Sequence, residues 1–402
     1  MTQTQTSQNA RRYDIDWLRT LAFGILILYH VGMYYVADWG WHIKNEQTFA
    51  WLQDVMILSN PWRMSLLFFI SGMALALVAD KYKYTELASI RTRRLMLPLL
   101  FGMFVIVAPQ PYYEALDQGL IEPGFWAFWL EYINPHTTLL VEHHSPIGLL
   151  TWNHLWFLPY LWCYSLLILL LAPVLKRLAQ GQMLIAVPFW MAFFAMAVIL
   201  MLIWLALRQS FPSTHALLDD WYNHGKYFSV FVLGYVFPLQ QRWWQGAIAN
   251  RNRLLLLALC TYSLIILDNH QAFPDAAALF NENLAVKITY GMVYTVNHWA
   301  WILAVLGLAG HWLNKPSPTL RYANDAILPW YMLHQTLIIV AAANLKSLAL
   351  APGLEAVIIL LLTSAGCYLG YEIAKRSNWL RPLFGLKMRR KKNSHAEGLA
   401  AV

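Results

Sequence analysis

The feature that most constrains this chain is the recurrence of apolar blocks of about 20 residues, separated by short polar segments. Each block is long enough for an α-helix to cross a hydrocarbon layer of ~30 Å. Charged residues make up only 12% of the 402-residue sequence, against roughly 25% in soluble domains. Trp and Tyr, which collect at membrane–water boundaries, number 20 and 21. The sequence therefore predicts an all-α, polytopic membrane protein.

The hydropathy pattern predicts about ten transmembrane helices. They are expected at residues 15–37, 55–79, 93–110, 154–175, 183–207, 226–240, 252–268, 286–310, 325–345 and 353–374. The apolar segment 122–133 is too short to span and is expected at the interface. We expect one transmembrane domain over residues 15–375, between a cytoplasmic segment 1–14 and a basic cytoplasmic tail 376–402.

The positive charges follow the loops in alternation. If the N-terminus is inside, the inside segments hold 22 of the 29 Lys and Arg residues and the outside loops hold five. An excess of Lys and Arg marks cytoplasmic loops, so both termini are predicted to be cytoplasmic. The formal net charge of +8 is explained by this bias, and we expect no nucleic-acid partner.

Residues able to bind metal are present, but no spacing among them predicts a metal site. Cys163, Cys260 and Cys367 all lie inside apolar blocks, so we expect neither a disulfide framework nor a cysteine metal site. The outside loop 111–153 is acidic and contains histidines. That loop has two interpretations: it holds a metal or sugar hydroxyls, or it simply lacks positive charge as exterior loops do.

The first predicted helix carries ionisable residues that apolar packing does not require. Arg19 and His30 are eleven residues apart, almost three helical turns, so they share a face and lie roughly 16 Å apart along the axis. Asp16 precedes Arg19 by three residues, the spacing of an ion pair on a helix. Ionisable groups at membrane depth are costly and mark candidate functional sites, although a single histidine is equally explained by a hydrogen bond between helices.

Two arginine-bearing segments follow. Arg63 lies within the second predicted helix, which continues to Ser71 and Gly72; a glycine there permits close backbone approach. A cytoplasmic basic cluster contains Arg91, Arg93 and Arg94. Arg91 and Arg94 share a face if the third helix begins early, and a pair of guanidinium groups suits phosphate oxygens.

Further polar residues lie in later apolar blocks. Asn153 and His154 open the fourth helix and are expected at the exterior mouth. His334 is predicted at mid-membrane, one turn after Tyr331, where it could support His30 from a neighbouring helix. His298 is a weaker candidate of the same kind. For each histidine, a structural hydrogen bond explains the residue as well as a catalytic role does.

Taken in order, these motifs resemble the membrane acyltransferase-3 family over residues 12 to 375. The matching elements are Arg19 with His30, Arg63 with Ser71-Gly72, Arg91 with Arg94, the run His154-Leu155-Trp156-Phe157-Leu158, and the segment from Tyr331 to His334. Within the family the second-helix motif and the His154 run are most similar to the branch that succinylates periplasmic glucans.

The resemblance implies an acyl-CoA-dependent O-acyltransferase in a bacterial inner membrane. Acyl-CoA would be a cytoplasmic co-substrate, with no tightly bound cofactor, and a periplasmic glucan or other carbohydrate would receive a succinyl or acetyl group. It implies that His30 is catalytic, that Arg19 supports donor binding or the active geometry, and that the basic cluster engages coenzyme A. His30 would act as a general base or through an acyl-histidine; Arg63 or the Ser71-Gly72 segment is a candidate to stabilise the oxyanion.

Other classes remain open from the residues alone. A carbohydrate or proton-coupled transporter would also place Arg and His in the membrane, although transporters commonly show inverted repeats and none is evident here. An unrelated membrane-bound O-acyltransferase would carry its key histidine late in the chain. A structural or sensory protein is a third alternative.

Overall fold

The computed structural model describes residues 12–389, which form helices and no β-strand. The predicted N-terminal segment 1–14 and tail 376–402 lie partly outside these residues. Ten longer helices organise the fold. They are α1 (Tyr13–Tyr35), α2 (Arg63–Ala79), α3 (Tyr84–Phe101), α4 (Phe157–Ala179), α5 (Phe189–Leu207), α6 (Trp221–Val236), α7 (Arg251–Asn269), α8 (Leu284–Trp312), α9 (Pro318–Leu345) and α10 (Pro352–Arg376).

Eight helical segments of the described chain are long and apolar enough to cross a membrane, which confirms the predicted fold class. The two exceptions are α2, with 17 residues, and α6, with 16. Both lie where the hydropathy pattern predicted the second and sixth spans. At 1.5 Å per residue they are roughly 25 Å long, slightly shorter than a typical hydrocarbon core.

The predicted second helix, 55–79, is wrong at its outer end. The structure has a short helix Trp51–Ile57, a turn, and then α2 from Arg63. Pro61 lies in the turn, and proline has no backbone N–H to continue a helical ladder. Arg63 therefore lies in the first turn of α2, at the end predicted to face outward.

The third helix begins at Tyr84, well before the predicted residue 93. It passes into a π-helical turn, Gly102–Ile106, and a helix Pro109–Asp117, so one helical segment runs from 84 to 117. Of the basic residues 91, 93 and 94, only Arg91 precedes the predicted helix 93–110, and charged side chains are compatible with helix where the helix projects from the membrane. Arg91 and Arg94 consequently share one helical face.

The backbones of α2 and α6 are in direct contact. A Cβ atom placed on Gly72 would lie 2.3 Å from the Phe231 carbonyl oxygen, and one on Gly234 would lie 2.2 Å from the Phe69 oxygen. Only glycine permits this separation, as predicted for Gly72.

Helix α1 packs against α2, α8 and α9, and its contact with α9 brings His30 to His334. The predicted interfacial segment forms a helix, Phe125–Tyr132, with Trp126 76% exposed.

Candidate active site

Two histidines from distant parts of the chain meet between α1 and α9. Nδ1 of His30 lies 3.0 Å from Nε2 of His334. His334 is completely buried, and its Nδ1 is 2.8 Å from the carbonyl oxygen of Tyr331, one turn earlier in α9. The side chain of Phe23 packs edge-on against His334 from the preceding turns of α1. The Tyr331 carbonyl and the Phe23 ring therefore both hold His334 in place beside His30.

The hydrogen bonds assign the tautomers of this pair. A carbonyl oxygen only accepts, so Nδ1 of His334 carries its proton. Burial favours neutral His334 because an unpaired charge is costly to bury, and its Nε2 must then be an acceptor. Nδ1–H of His30 donates to that acceptor, and neutral His30 is left with an unprotonated Nε2. Among the described residues, Nε2 of His30 has no hydrogen-bond partner.

His30 lines a cavity of about 1300 Å³. Residues of segments 142–153 and 213–218 also line it, and these segments belong to loops predicted to be extracytoplasmic. Trp41, Trp152 and Trp156 line the walls, together with Tyr331 and Asn153. The cavity can therefore admit a large, hydroxylated molecule from the outer side and bring it to Nε2 of His30.

Both nitrogens of His154 are occupied, so the structure favours the structural alternative for this residue. Nε2–H donates to the Met332 carbonyl at 3.1 Å, and Nδ1 accepts from Nε2 of Gln110 at 3.1 Å. The Tyr331 hydroxyl donates to the His154 carbonyl at 2.5 Å. His154 and Tyr331 thus tie the start of α4 to α9 and position the His334 helix.

A second polar cluster lies nearer the mouth and was not singled out from the sequence. Glu114 accepts from Nδ1 of His42 at 2.5 Å and from Nε2 of His143 at 2.7 Å. Nε2 of His42 accepts from the Asn153 amide at 3.0 Å. The hydrogen bond to Glu114 raises the pKa of His143 above its usual range. The only available signal was the acidic, His-bearing character of loop 111–153, because the partner His42 lies about 70 residues away in the chain.

Arg63 lies beside His30 on the outer side. Its guanidinium carbon is 3.5 Å from the centre of the Tyr29 ring, and the side chain is only 5% exposed. Its charge acts on His30. Ser71, in contrast, lies two turns further along α2 and does not line the cavity. The structure brings Arg63, but not Ser71, to the candidate site.

The predicted donor-binding arginines lie at the opposite end of α1. Arg19 pairs with Asp16 at 3.4 Å, the predicted i,i+3 contact. The charge of Arg91 is repelled by those of Arg94 and Arg19, so the three guanidinium groups form one basic cluster. Nε of Arg94 also donates to the Gly385 carbonyl at 3.1 Å. Arg93 is exposed and lies on a different face of α3, so it does not join this cluster.

The remaining candidate is His298, whose Nδ1 donates to the Pro61 carbonyl at 2.9 Å. It lines a small cavity of about 100 Å³, which shares Pro61, Tyr222, Lys226 and Tyr294 with the large one, and it does not line the large cavity itself. Among residues 12–389, no group of three or more His, Cys, Asp or Glu side chains has an arrangement that would hold a metal ion.

The chain is similar in sequence to known proteins. A family model described as an acyltransferase domain matches residues 12–372. Over 150 residues the chain is 25% identical to proteins named glucans biosynthesis protein C from Escherichia coli strains K12 and SMS-3-5. The alignment covers 37% of this chain and 35% of each relative, so the chain spans about a third of the length of the curated relatives it matches. No solved structure matches the chain.

Proposed function

This chain belongs to the acyltransferase domain family whose model spans its residues 12–372, and from that premise we propose that it is a membrane O-acyltransferase with His30 as catalytic base. It transfers a succinyl or acetyl group from cytoplasmic acyl-CoA to a hydroxyl of an extracytoplasmic carbohydrate. The observation that carries the proposal is the contact between His30 and His334, which leaves Nε2 of His30 unprotonated on a residue that lines a large cavity.

Because His30 carries its proton on Nδ1, its unprotonated Nε2 is available as a base in the chemical step. Nε2 of His30 takes the proton of the acceptor hydroxyl as its oxygen attacks the thioester carbonyl, a general-base step worth about 10²–10⁴ in rate. The new C–O bond forms, the C–S bond breaks, and the coenzyme A thiolate takes the proton from Nε2. During transfer His30 is an imidazolium, and its Nδ1–H donates to His334, which is itself oriented by the Tyr331 carbonyl.

The positive charge of Arg63 is available for the oxyanion that forms in this step. Preorganised cations act most strongly where negative charge develops in a site that excludes water. Arg63 is buried, and its charge acts on His30. Ser71 is omitted from this role because it does not line the cavity.

The donor enters from the other end of α1. Arg19, Arg91 and Arg94 offer three guanidinium groups for the phosphates of coenzyme A. The eleven-residue spacing from Arg19 to His30 corresponds to roughly 16 Å of helix, a distance that an extended pantetheine arm spans. Phe23 and Tyr331 lie between the two ends and must move aside for the arm to pass. This arrangement fits a multi-pass protein of a bacterial inner membrane with both termini in the cytoplasm.

The outer cavity suits a carbohydrate acceptor. Trp and Tyr side chains line its walls, and flat rings of this kind present an apolar face with polar edges, which matches a sugar ring. The name of the E. coli relatives refers to glucans, so a periplasmic glucan is the acceptor we propose to test first. No feature of the described residues favours a transporter over this assignment.

The experiment is mass spectrometry of envelope glycans from three strains: one lacking the protein, one expressing it, and one expressing His30→Ala. We expect an added acyl mass only with the unaltered protein, and its value identifies the acyl group. Glycans of equal mass in all three strains, with the protein present in the membrane, would exclude the proposal. Sugar uptake without consumption of acyl-CoA would support the transporter alternative.

A further inference from the structure

The outer cavity has a positively charged wall. Arg63 of α2, Arg208 at the end of α5 and Lys226 of α6 all line it. We call these three residues the cationic wall. Lys226 lies close enough to Arg208 and Arg63 for their charges to repel it. Three cations from three helices therefore converge on one part of the cavity.

No carboxylate neutralises the cationic wall. Among residues 12–389, no Asp or Glu oxygen forms an ion pair with any of the three side chains, whereas Lys44 and other cations find oxygen acceptors. Each member lies instead against a tyrosine ring. The distances to the ring centres are 3.5 Å for Arg63 over Tyr29, 5.4 Å for Arg208 over Tyr222 and 5.1 Å for Lys226 over Tyr227. Such contacts stabilise a cation by about 0.5–2 kcal/mol without cancelling its charge.

The most buried member has an unused donor. Nε of Arg63 is buried without a hydrogen-bond partner. The guanidinium contacts Tyr29, and Nη1 makes a long contact, 3.4 Å, with the Ser59 hydroxyl. Leaving a charged donor unsatisfied in a buried site is costly. Arginine at membrane depth is normally paired or directed into a lined cavity, so this donor indicates a missing anionic partner.

The carboxylates that line the cavity are occupied elsewhere. Glu114 accepts from His42 and His143, and Glu142 lies 3.9 Å from His143. Both belong to the histidine cluster near Asn153 rather than to the cationic wall. The two charge types are therefore segregated within the cavity, and an anion is attracted to one wall only.

We infer that the cationic wall binds a carboxylate or phosphate group carried by one of the substrates. Guanidinium and ammonium groups are the usual ligands of such anions. The charge of Arg63 acts on His30, so we assign Arg63 to the side nearer the reacting atoms and Arg208 and Lys226 to a group set apart from them. This inference rests on the proposed function, because it assigns the substrate that the same cavity would bind.

The anion has two possible carriers. The free carboxylate of a dicarboxylic acyl group would arrive with the donor, and a phosphate or carboxylate on the carbohydrate would arrive with the acceptor. Both present the same chemistry to Arg208 and Lys226. If the donor carries the anion, removing those cations weakens donor binding; if the acceptor carries it, their removal weakens acceptor binding.

A binding measurement tests the site without requiring catalysis. Purified protein in detergent is titrated with succinate and with inorganic phosphate, for the unaltered chain and for His30→Ala. We expect at least one anion to bind both, with at least tenfold weaker affinity in Lys226→Gln and in Arg208→Gln. Lys287→Gln is the matched control, because Lys287 is also on the predicted outer side but does not line the cavity. Absence of binding, or equal affinity in all four variants, would overturn the inference.

Kinetics then identify the carrier. In Lys226→Gln, a rise in KM for a succinyl donor but not an acetyl donor assigns the anion to the acyl group. A rise in KM for a phosphate-bearing but not a neutral glucan assigns it to the acceptor. If neither KM depends on substrate charge, the inference fails. Retained transfer in His30→Ala with anion binding unchanged would contradict the proposed function alone, so the two failures are distinguishable.

Discussion

Nδ1 of His30 lies 3.0 Å from Nε2 of His334, although 304 residues separate them in the chain. Because the Tyr331 carbonyl fixes the proton of His334 on Nδ1, the contact directs the proton of His30 to Nδ1 as well. Nε2 of His30, a residue that lines the large cavity, is then left without a proton. His334 is accordingly a positioning residue, and its removal has a different expected effect from the removal of His30.

Replacing His334 with Ala should lower kcat by about 10²-fold while leaving both KM values nearly unchanged. The substitution removes the acceptor that fixes the His30 tautomer and stabilises the imidazolium, which is part of a general-base contribution of 10²–10⁴. Steady-state kinetics with varied acyl-CoA and acceptor provide the measurement. His334→Gln, whose amide oxygen can accept from His30, should recover part of kcat; a variant that only raised KM would contradict this role.

Removing either inner arginine should weaken donor binding specifically. We expect Arg91→Ala and Arg94→Ala to raise the Kd for acyl-CoA by at least about tenfold, equivalent to 1.4 kcal/mol, because each removes a charged contact to phosphate. Arg93→Ala is the matched control, since Arg93 lies on another face of α3. Equilibrium binding of a non-hydrolysable acyl-CoA analogue gives all three values. Equal affinities across the three variants would remove the basic cluster from the donor site.

The outer loop should loosen as pH rises. The hydrogen bond to Glu114 raises the pKa of His143 in the folded protein, so the stabilisation is fully present below the unfolded value of about 6.5 and is lost as pH increases through the higher folded value. The protection of amides in segment 136–153, expressed relative to their intrinsic exchange rates at each pH, should therefore fall across that window. His143→Gln should abolish the dependence, whereas His136→Gln should preserve it because His136 is exposed and is not bonded to Glu114.

Gly72→Ala should destabilise the protein by about 1–3 kcal/mol or more, the usual cost of forcing atoms into a packed core. The new Cβ would lie 2.3 Å from the Phe231 oxygen, so α2 and α6 must separate. Gly24→Ala is the control, because no atom lies within 4 Å of a Cβ at that position and alanine favours a helix. Thermal unfolding in detergent should show a lower Tm for Gly72→Ala only; equal Tm values would contradict the close packing.

The long apolar helices could be predicted from the sequence because hydropathy is a local property of about 20 residues. The i,i+3 pair of Asp16 and Arg19 was predictable for the same reason, since helical spacing alone determines it. The outer end of α2 was not, because a hydropathy average over 55–79 does not resolve the turn that contains Pro61.

The contacts within the candidate site could not be predicted from the sequence, because they join residues that are far apart in the chain. His30 and His334 were each identifiable as ionisable residues in apolar blocks, but their pairing depends on the packing of α1 against α9. The cluster of Glu114, His42 and His143 went unrecognised because its members lie on three separate segments. The hydrogen bonds that make His154 structural were equally inaccessible, since they depend on Gln110 and the Met332 carbonyl.

In the proposed mechanism, Nε2 of His30 removes the acceptor proton. The most direct measurement is the rate of transfer from radiolabelled acyl-CoA to carbohydrate in proteoliposomes containing either the unaltered protein or His30→Ala, at equal protein content. The predicted result is transfer by His30→Ala at the rate of protein-free liposomes, with its Kd for acyl-CoA unchanged. Transfer by His30→Ala at a rate near that of the unaltered protein would contradict the account.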